Sequence, residues 1–142
     1  MDWSNPDAKI SKYFTVREAL WLPSWNRAAN PTDGLNLLVE ANLEDLFTRM
    51  DRVRSYFGFP VVVHVAYRPE AYNTQIGGAK ASQHVLGKAV DFHVERVTCD
   101  EVRARILPWL APWGFRCENN PGSQWVHLDC KSCANEYRYF KP

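Results

Sequence analysis

The sequence predicts an α+β domain in which helices pack against a small, mainly antiparallel sheet. One long stretch has apolar residues at three- and four-residue spacing, and several short stretches are β-branched or alternate between apolar and polar residues. The 142 residues, 46% of them hydrophobic, fit one globular domain with its own core. We therefore expect a single domain over residues 1–142, divided into an N-terminal arm (1–34) and a core (35–142).

The first half of the chain predicts a short helix, a long helix and a buried strand. In "TVREALWL", Thr15 and Glu18 have the spacing of a capping box, which predicts a short helix within the arm. The apolar stripe from Leu35 to Phe57 predicts the main helix, which ends at Gly58 because glycine suits a C-terminal cap. The β-branched run "VVVHVAY" then predicts a buried strand.

The second half predicts a loop followed by mostly short strands. The small and polar residues from Arg68 to Ser82 predict a loop. In "LGKAVDFHV", alternation places Ala89, Asp91 and His93 on one strand face, opposite a core face. Thr98 caps the helix predicted in "TCDEVRARIL", while "GFRCE" and "QWVHLDC" predict two strands and "EYRYF" an edge strand.

Two of these strands present metal-capable groups from a single face. In "QWVHLDC", alternation places Trp125, His127 and Asp129 together. Because a catalytic zinc takes three protein ligands and keeps a fourth position open, His84, Asp91 and His127 are candidate metal ligands. On spacing alone, a structural role stays open for each histidine of the chain, including His64 and His93.

Charge and hydropathy exclude several classes of partner. The 17 basic and 16 acidic residues give a net charge of +1, so no charge excess suggests a nucleic acid or an acidic membrane surface. The N-terminus lacks the pattern of a signal peptide, and no apolar run reaches the roughly 18 residues of a membrane helix. We expect a monomer that is synthesised in the cytoplasm.

The four cysteines allow three interpretations. They are Cys99, Cys117, Cys130 and Cys133, and the absence of an export signal favours reduced thiols over a disulfide framework. The last two form a C-x-x-C, which is half of a structural zinc site without a matching second pair. Packing as small hydrophobic residues in or near the core is the simplest interpretation.

The order of the candidate ligands resembles that of a known enzyme family. The segment "SQHVLGKAVDF" resembles the S-x-H-x-x-G-x-A-x-D signature of zinc D-Ala-D-Ala carboxypeptidases and of the related bacteriophage L-Ala-D-Glu endopeptidases. "WVH" is similar to their third-ligand motif, and "YFTVREAL" and "AYRPEAYNTQIGGAKASQH" resemble their opening segment and arginine loop. The resemblance covers roughly residues 12–129. Within the signature, we expect Gly87 and Ala89 to keep side-chain bulk away from the metal.

The resemblance implies a hedgehog-like fold and a role for each matching residue. His84, Asp91 and His127 would bind zinc. Arg68 would polarise the scissile carbonyl or hold a substrate carboxylate, and Ser82 would contact the substrate. These roles agree with the chemistry, because peptide hydrolysis builds negative charge that a cation and a guanidinium both stabilise.

The general base is the weakest part of the match. Many relatives place a Glu or Asp three residues before the last zinc histidine, where this chain has Gln124, and an amide cannot accept the proton. We predict Glu118 as the base, and Asp129 as a residue that orients His127 or a neighbouring ring. Trp125 is either a wall of the substrate cleft or an ordinary core residue.

The resemblance implies a zinc-dependent peptidase that hydrolyses stem peptides of bacterial peptidoglycan. Either the L-Ala-D-Glu bond or a terminal D-Ala is the target. The compact length and missing signal peptide favour the phage-type role, in which a separate pore releases the enzyme to the cell wall. The alternatives are a non-catalytic zinc-binding module, as in the hedgehog signalling domain, and a structural or wall-binding phage protein on the same scaffold. Gln124 keeps these alternatives open.

Overall fold

A computed structural model describes residues 1–142 and confirms the α+β class. The helices are α1 (Val16–Leu20), α2 (Leu37–Phe57), α3 (Glu70–Gln75), α4 (Cys99–Ile106) and α5 (Leu110–Trp113). The strands are β1 (Trp21–Leu22), β2 (Arg27–Ala28), β3 (Val61–Val65), β4 (Ala89–Val94), β5 (Arg116–Glu118), β6 (Val126–Asp129) and β7 (Tyr139–Phe140). Short 3-10 turns connect several of them.

The main sheet has five strands in the order β3-β4-β6-β5-β7. All neighbours are antiparallel except β5 and β7, so the sheet is mainly antiparallel, as predicted. In the pairing of β4 with β6, Asp91 lies opposite His127 and Ala89 lies opposite Asp129. Residues that are far apart in sequence thereby become neighbours on one face of the sheet. Strands β1 and β2 form a separate two-stranded hairpin.

The long helix α2 supplies one side of the core. It begins at Leu37, two residues later than the sequence predicts, because Asn36 caps it by accepting a hydrogen bond from the Val39 amide. It ends where Gly58 adopts a φ of 72°, in the left-handed region that glycine enters without penalty. Its buried residues belong to the same hydrophobic cluster as those of β4 and β6: Val39, Leu43, Leu46, Phe47, Met50, Val53 and Phe57.

The predicted loop over residues 68–82 is wrong in part, because it contains α3. Six residues are too few to show a helical repeat, and only the preceding Pro69 marks its beginning. The helix buries Tyr72, whose hydroxyl accepts a hydrogen bond from the Ser24 amide, and the Trp25 ring packs edge-on against it. These contacts fix the segment that leads to His84.

The N-terminal 34 residues contribute to the core. Thr15 and Glu18 form the predicted capping box at the start of α1. The buried residues of this segment are Ile10, Phe14, Val16, Ala19, Leu20, Leu22 and Ala29, and all belong to the main cluster. The division of the chain at residue 34 stays a prediction.

The region after β4 follows the predicted order. Thr98 caps α4 by accepting from the Glu101 amide, and Pro108 lies in the 3-10 turn that follows the helix. All four cysteines are free thiols. Burial raises the pKa of Cys117 to about 12 and that of Cys130 to about 11, so both are packing residues rather than reactive thiols. None of the helices combines the length and apolar character needed to span a bilayer.

Candidate metal centre

The three predicted ligands come together from one loop and two adjacent strands. His84 precedes β4, Asp91 lies within β4 and His127 lies within β6. One donor atom from each side chain lies within 4.8 Å of the other two. His84 Nε2 is 3.2 Å and His127 Nδ1 is 2.9 Å from Asp91 Oδ1.

Backbone hydrogen bonds hold the loop that carries His84. The His84 carbonyl accepts from the Arg68 amide at 3.0 Å and from the Gly87 amide at 3.2 Å. The His84 amide in turn donates to Ser82 Oγ at 3.2 Å. The first ligand is therefore fixed to both the arginine segment and the turn that leads into β4.

The hydrogen bonds of His84 leave its Nε2 available to a cation beside Asp91. His84 Nδ1 lies 2.7 Å from the Ala66 carbonyl oxygen, which can only accept, so Nδ1 carries the proton. In a neutral ring, Nε2 then presents a lone pair to the Asp91 carboxylate at 3.2 Å. Two acceptors at this distance repel each other unless a positive charge lies between them. Tetrahedral zinc, with bonds of about 2.0–2.1 Å, sets its donors about 3.3 Å apart, so the donor set fits zinc.

Asp129 holds the outer nitrogen of His127, as the sequence predicts. His127 Nε2 lies 2.9 Å from Asp129 Oδ2, which leaves Nδ1 directed towards Asp91. The fully buried Asp129 also accepts two hydrogen bonds from Arg116, at 2.8 and 2.9 Å. Sequence reasoning missed Arg116, because only the register of β5 against β6 places it opposite Asp129. A carboxylate that fixes the ring of a ligating histidine is a recurrent feature of metal sites.

The electrostatics of the cluster favour charged side chains despite their burial. Burial opposes ionisation of Asp91, but the hydrogen bond from His127 and the positive charge of that residue outweigh it and hold the pKa of Asp91 below its usual range. Burial likewise opposes charge on His127, but Asp129 and Asp91 raise its pKa to about 9. A metal ion that binds His127 at neutral pH must therefore displace a proton.

Arg68 lies beside the three candidate ligands and donates a hydrogen bond to one of them. Its Nη2 donates to Asp91 Oδ2 at 3.3 Å. Its Nε is buried and has no hydrogen-bond partner. Because that N–H is sealed from solvent, the remaining N–H groups of the guanidinium are the donors available to a substrate oxygen in the cleft that Arg68 lines.

The ligands open into a cleft of about 600 Å³. The other predicted site residues also line it: Arg68, Ser82, Glu118 and Trp125. Further lining residues that the sequence did not indicate include Arg116, Lys131 and Phe140. The Phe140 ring centroid is 3.9 Å from the Arg116 guanidinium carbon, so the edge strand β7 forms a wall of the cleft. No local signal in the sequence shows that this strand returns to the site.

Gln124 lies outside this cleft. It lines a separate pocket, with His64 and His93. Glu118, at the end of β5, lines the metal cleft and accepts a hydrogen bond from Asn120 Nδ2 at 3.4 Å. The metal cleft therefore still has a candidate base in Glu118, although position 124 carries an amide.

The expectation for Gly87 is corrected by the structure. A Cβ at Gly87 would meet the Val39 carbonyl oxygen at 3.0 Å and the Leu43 side chain at 3.1 Å, both on α2. Its φ is 73°, which L side chains rarely adopt. Position 87 requires glycine because the turn before β4 packs against the long helix. The residue does not serve to leave room beside the metal. Ala89 lies opposite Asp129, fully buried.

The fold and the site define a metallopeptidase. Three donors suited to one ion, a guanidinium beside them and a carboxylate in the same open cleft are the groups that metal-assisted peptide hydrolysis uses. The chain matches the model of the Peptidase M15 family over residues 22–129 and belongs to this family. No curated protein matches the chain.

Proposed function

We propose that the protein is a zinc-dependent peptidase that hydrolyses peptide bonds in the stem peptides of bacterial peptidoglycan. The arrangement of His84, Asp91 and His127 carries the proposal, because protonation of His84 at Nδ1 leaves Nε2 free for a metal. Membership of the Peptidase M15 family supports the reaction class. The cell wall is the proposed place of action, because the substrate lies there.

Each remaining residue of the cleft has a separate task. Bound zinc supplies a Lewis acid and lowers the pKa of a coordinated water. Arg68, which lines the cleft, donates to an oxygen of the substrate, either the scissile carbonyl or a carboxylate. Ser82 lines the cleft beside the first ligand and contacts the substrate. Trp125, 43% exposed, forms an apolar wall.

Glu118 is the proposed general base. It is the only glutamate that lines the metal cleft, and Asp129 is already occupied by Arg116 and His127. Glu118 would accept the proton of the attacking water and deliver it to the leaving amine. The L-Ala-D-Glu bond and a terminal D-Ala bond are both compatible with this machinery, since in each substrate the D-residue carries a carboxylate for Arg68.

The proposal is tested by mass spectrometry of the soluble products after incubation with purified peptidoglycan. The zinc-loaded protein should release defined peptides, whose masses identify the bond that is cut, and a chelator should abolish the release. Glu118→Gln should retain zinc and lower the rate by about 10²–10⁴-fold. Glu101→Gln, which removes an exposed carboxylate on α4, is the matched control and should keep full activity.

Two outcomes would contradict the proposal. Release that persists in the chelator would remove the metal from the reaction. An intact wall in the presence of protein that holds one zinc per chain would instead support a non-catalytic binding module on a peptidase scaffold.

A further inference from the structure

A second pocket of about 590 Å³ lies beside the metal cleft and takes no part in the proposed reaction. Its polar lining includes His64, His93, Thr98, Asp100, Ser123 and Gln124. Two pairs of residues that are close in sequence connect this pocket with the cleft. Gln124 lines the pocket while Trp125 lines the cleft, and His93 follows the ligand Asp91 by two residues on β4. Because side chains two residues apart share a strand face, both cavities open on the same side of the sheet.

The two histidines of this pocket contact each other directly. His64 Nε2 lies 2.6 Å from His93 Nδ1, and the rings meet at 69°. The pairing of β3 with β4 is interrupted between Val63 and Val65, so His64 occupies a β-bulge. Bulges are frequent next to functional sites, where they redirect a side chain.

The contact fixes what the histidine pair offers to a ligand. One N–H lies between the rings, and either ring can supply it. If His64 donates, its Nδ1 is left as an acceptor and His93 Nε2 as a donor. If His93 donates, these two roles are exchanged. With one shared N–H the pair presents one donor and one acceptor, and neither outer nitrogen has a protein partner or is sealed from solvent.

The rest of the pocket contributes one carboxylate and no basic side chain. The carboxylate of Asp100 is paired with Arg103 and accepts a hydrogen bond from the Gly122 amide at 2.9 Å. No lysine or arginine lines the pocket. Burial and the neighbouring His93 lower the pKa of His64, which favours the neutral form of this ring. A group with one acceptor and one donor complements the histidine pair, and a backbone amide has this composition.

We propose that the His64–His93 pocket is a substrate subsite that binds a backbone amide of the peptide, about two residues from the bond that is cut. The inference rests on the proposed function. An extended peptide advances by about 3.3 Å per residue, so two residues span the distance between side chains two positions apart on β4. A peptide that crosses the metal centre along the sheet thus reaches the histidine pair.

The test measures how hydrolysis by the zinc-loaded full chain depends on substrate length, first with the pocket intact and then with His64 replaced. Synthetic stem peptides that extend one, two or three residues to either side of the scissile bond are hydrolysed by the parent protein and by His64→Phe. In the parent, kcat/KM should rise by about tenfold when the second residue is added on one side, as expected for two hydrogen bonds. His64→Phe should lose this gain, and His64→Gln, whose amide again supplies a donor and an acceptor, should recover part of it.

Two measurements keep the outcomes separate. Tyr56→Phe, on α2 and outside the lining of both cavities, controls for general effects, and thermal unfolding shows whether each variant folds. Nitrogen-15 spectra of the histidine side chains, recorded with an uncleaved stem peptide and separately with the peptidoglycan disaccharide, report binding without catalysis.

The subsite is supported if the peptide shifts the signals of His64 and His93, even where no peptide is hydrolysed and the proposed function fails. Hydrolysis with the same length dependence in His64→Phe, and no shift with the peptide, would overturn the subsite while leaving the peptidase intact. A shift with the disaccharide alone would overturn the peptide assignment in favour of the glycan.

Discussion

The proton on His84 is the smallest feature that decides how the site works. Its position on Nδ1 is set by the carbonyl of Ala66, at 2.7 Å, and this leaves Nε2 free towards Asp91. The two histidines therefore use different nitrogens, Nε2 in His84 and Nδ1 in His127. In each ring the other nitrogen is held by a protein oxygen, so both rings are positioned before a metal arrives.

Removal of a ligand should abolish stoichiometric zinc binding. We expect His84→Ala or Asp91→Ala to lower bound zinc well below one per chain, because two donors cannot replace three. Elemental analysis after dialysis measures the ratio. His64→Phe, which changes a histidine outside the ligand set, is the control and should retain one zinc; an unchanged ratio in the ligand variants would refute the assignment.

Loss of the charge on Asp129 should weaken zinc binding without abolishing it. Asp129→Asn keeps the shape but no longer accepts as strongly from His127 and Arg116. We expect a 10- to 100-fold rise in the zinc dissociation constant, measured by competition with a chelator. The absorption spectrum of the cobalt-substituted protein should change as well, since the ring of His127 is less firmly oriented. Parent-like values in both measurements would show that Asp129 only packs.

Zinc affinity should depend on pH through His127. Its pKa, raised from 6.5 to about 9 by Asp129 and Asp91 against the effect of burial, means that the metal-free protein holds a proton there at neutral pH. Zinc displaces this proton, so the apparent affinity should rise about tenfold per pH unit between pH 7 and 9. The same shift gives the metal-free fold stability that is full below pH 6.5 and is lost as the pH rises through about 9. A flat zinc affinity over this range would contradict the proton displacement.

At the level of elements, the sequence predicts which face of a strand a residue occupies better than it predicts which residues of other strands lie beside it. Alternation in β4 and β6 correctly places Asp91 and His127 on polar faces, because a period of two depends only on local geometry. It does not reveal that the two residues lie opposite each other. It also misses Arg116 and Phe140, whose positions depend on the register of β5 and on the return of β7.

The turn between His84 and β4 gives a stability prediction. Gly87→Ala should lower the free energy of unfolding by about 1–3 kcal/mol, since a left-handed conformation is costly for alanine and the new Cβ meets α2 at 3.0 Å. Gly58→Ala is the matched control, because its φ of 72° is the same within a degree or so but nothing lies within 4 Å of the added Cβ. Urea denaturation measures both. Equal losses in the two variants would show that the contact with α2 contributes nothing.

At the scale of the whole molecule, the metal centre connects parts of the fold that are distant in sequence. Its ligands come from a loop and two strands, and Arg68 and Phe140 bring in the segment before α3 and the terminal strand. A ligand that binds only the folded chain stabilises it by mass action. Zinc should therefore act on the fold and on the reaction through the same three side chains.

A zinc titration of the metal-free protein tests the central claim most directly. Zinc is added in steps to protein from which a chelator has removed the metal. At each step, bound zinc and the release of peptides from peptidoglycan are both measured. The account predicts that release rises in proportion to bound zinc, stops rising at one equivalent and is absent at every zinc concentration in Asp91→Ala. Binding of one equivalent without release of any peptide would contradict it.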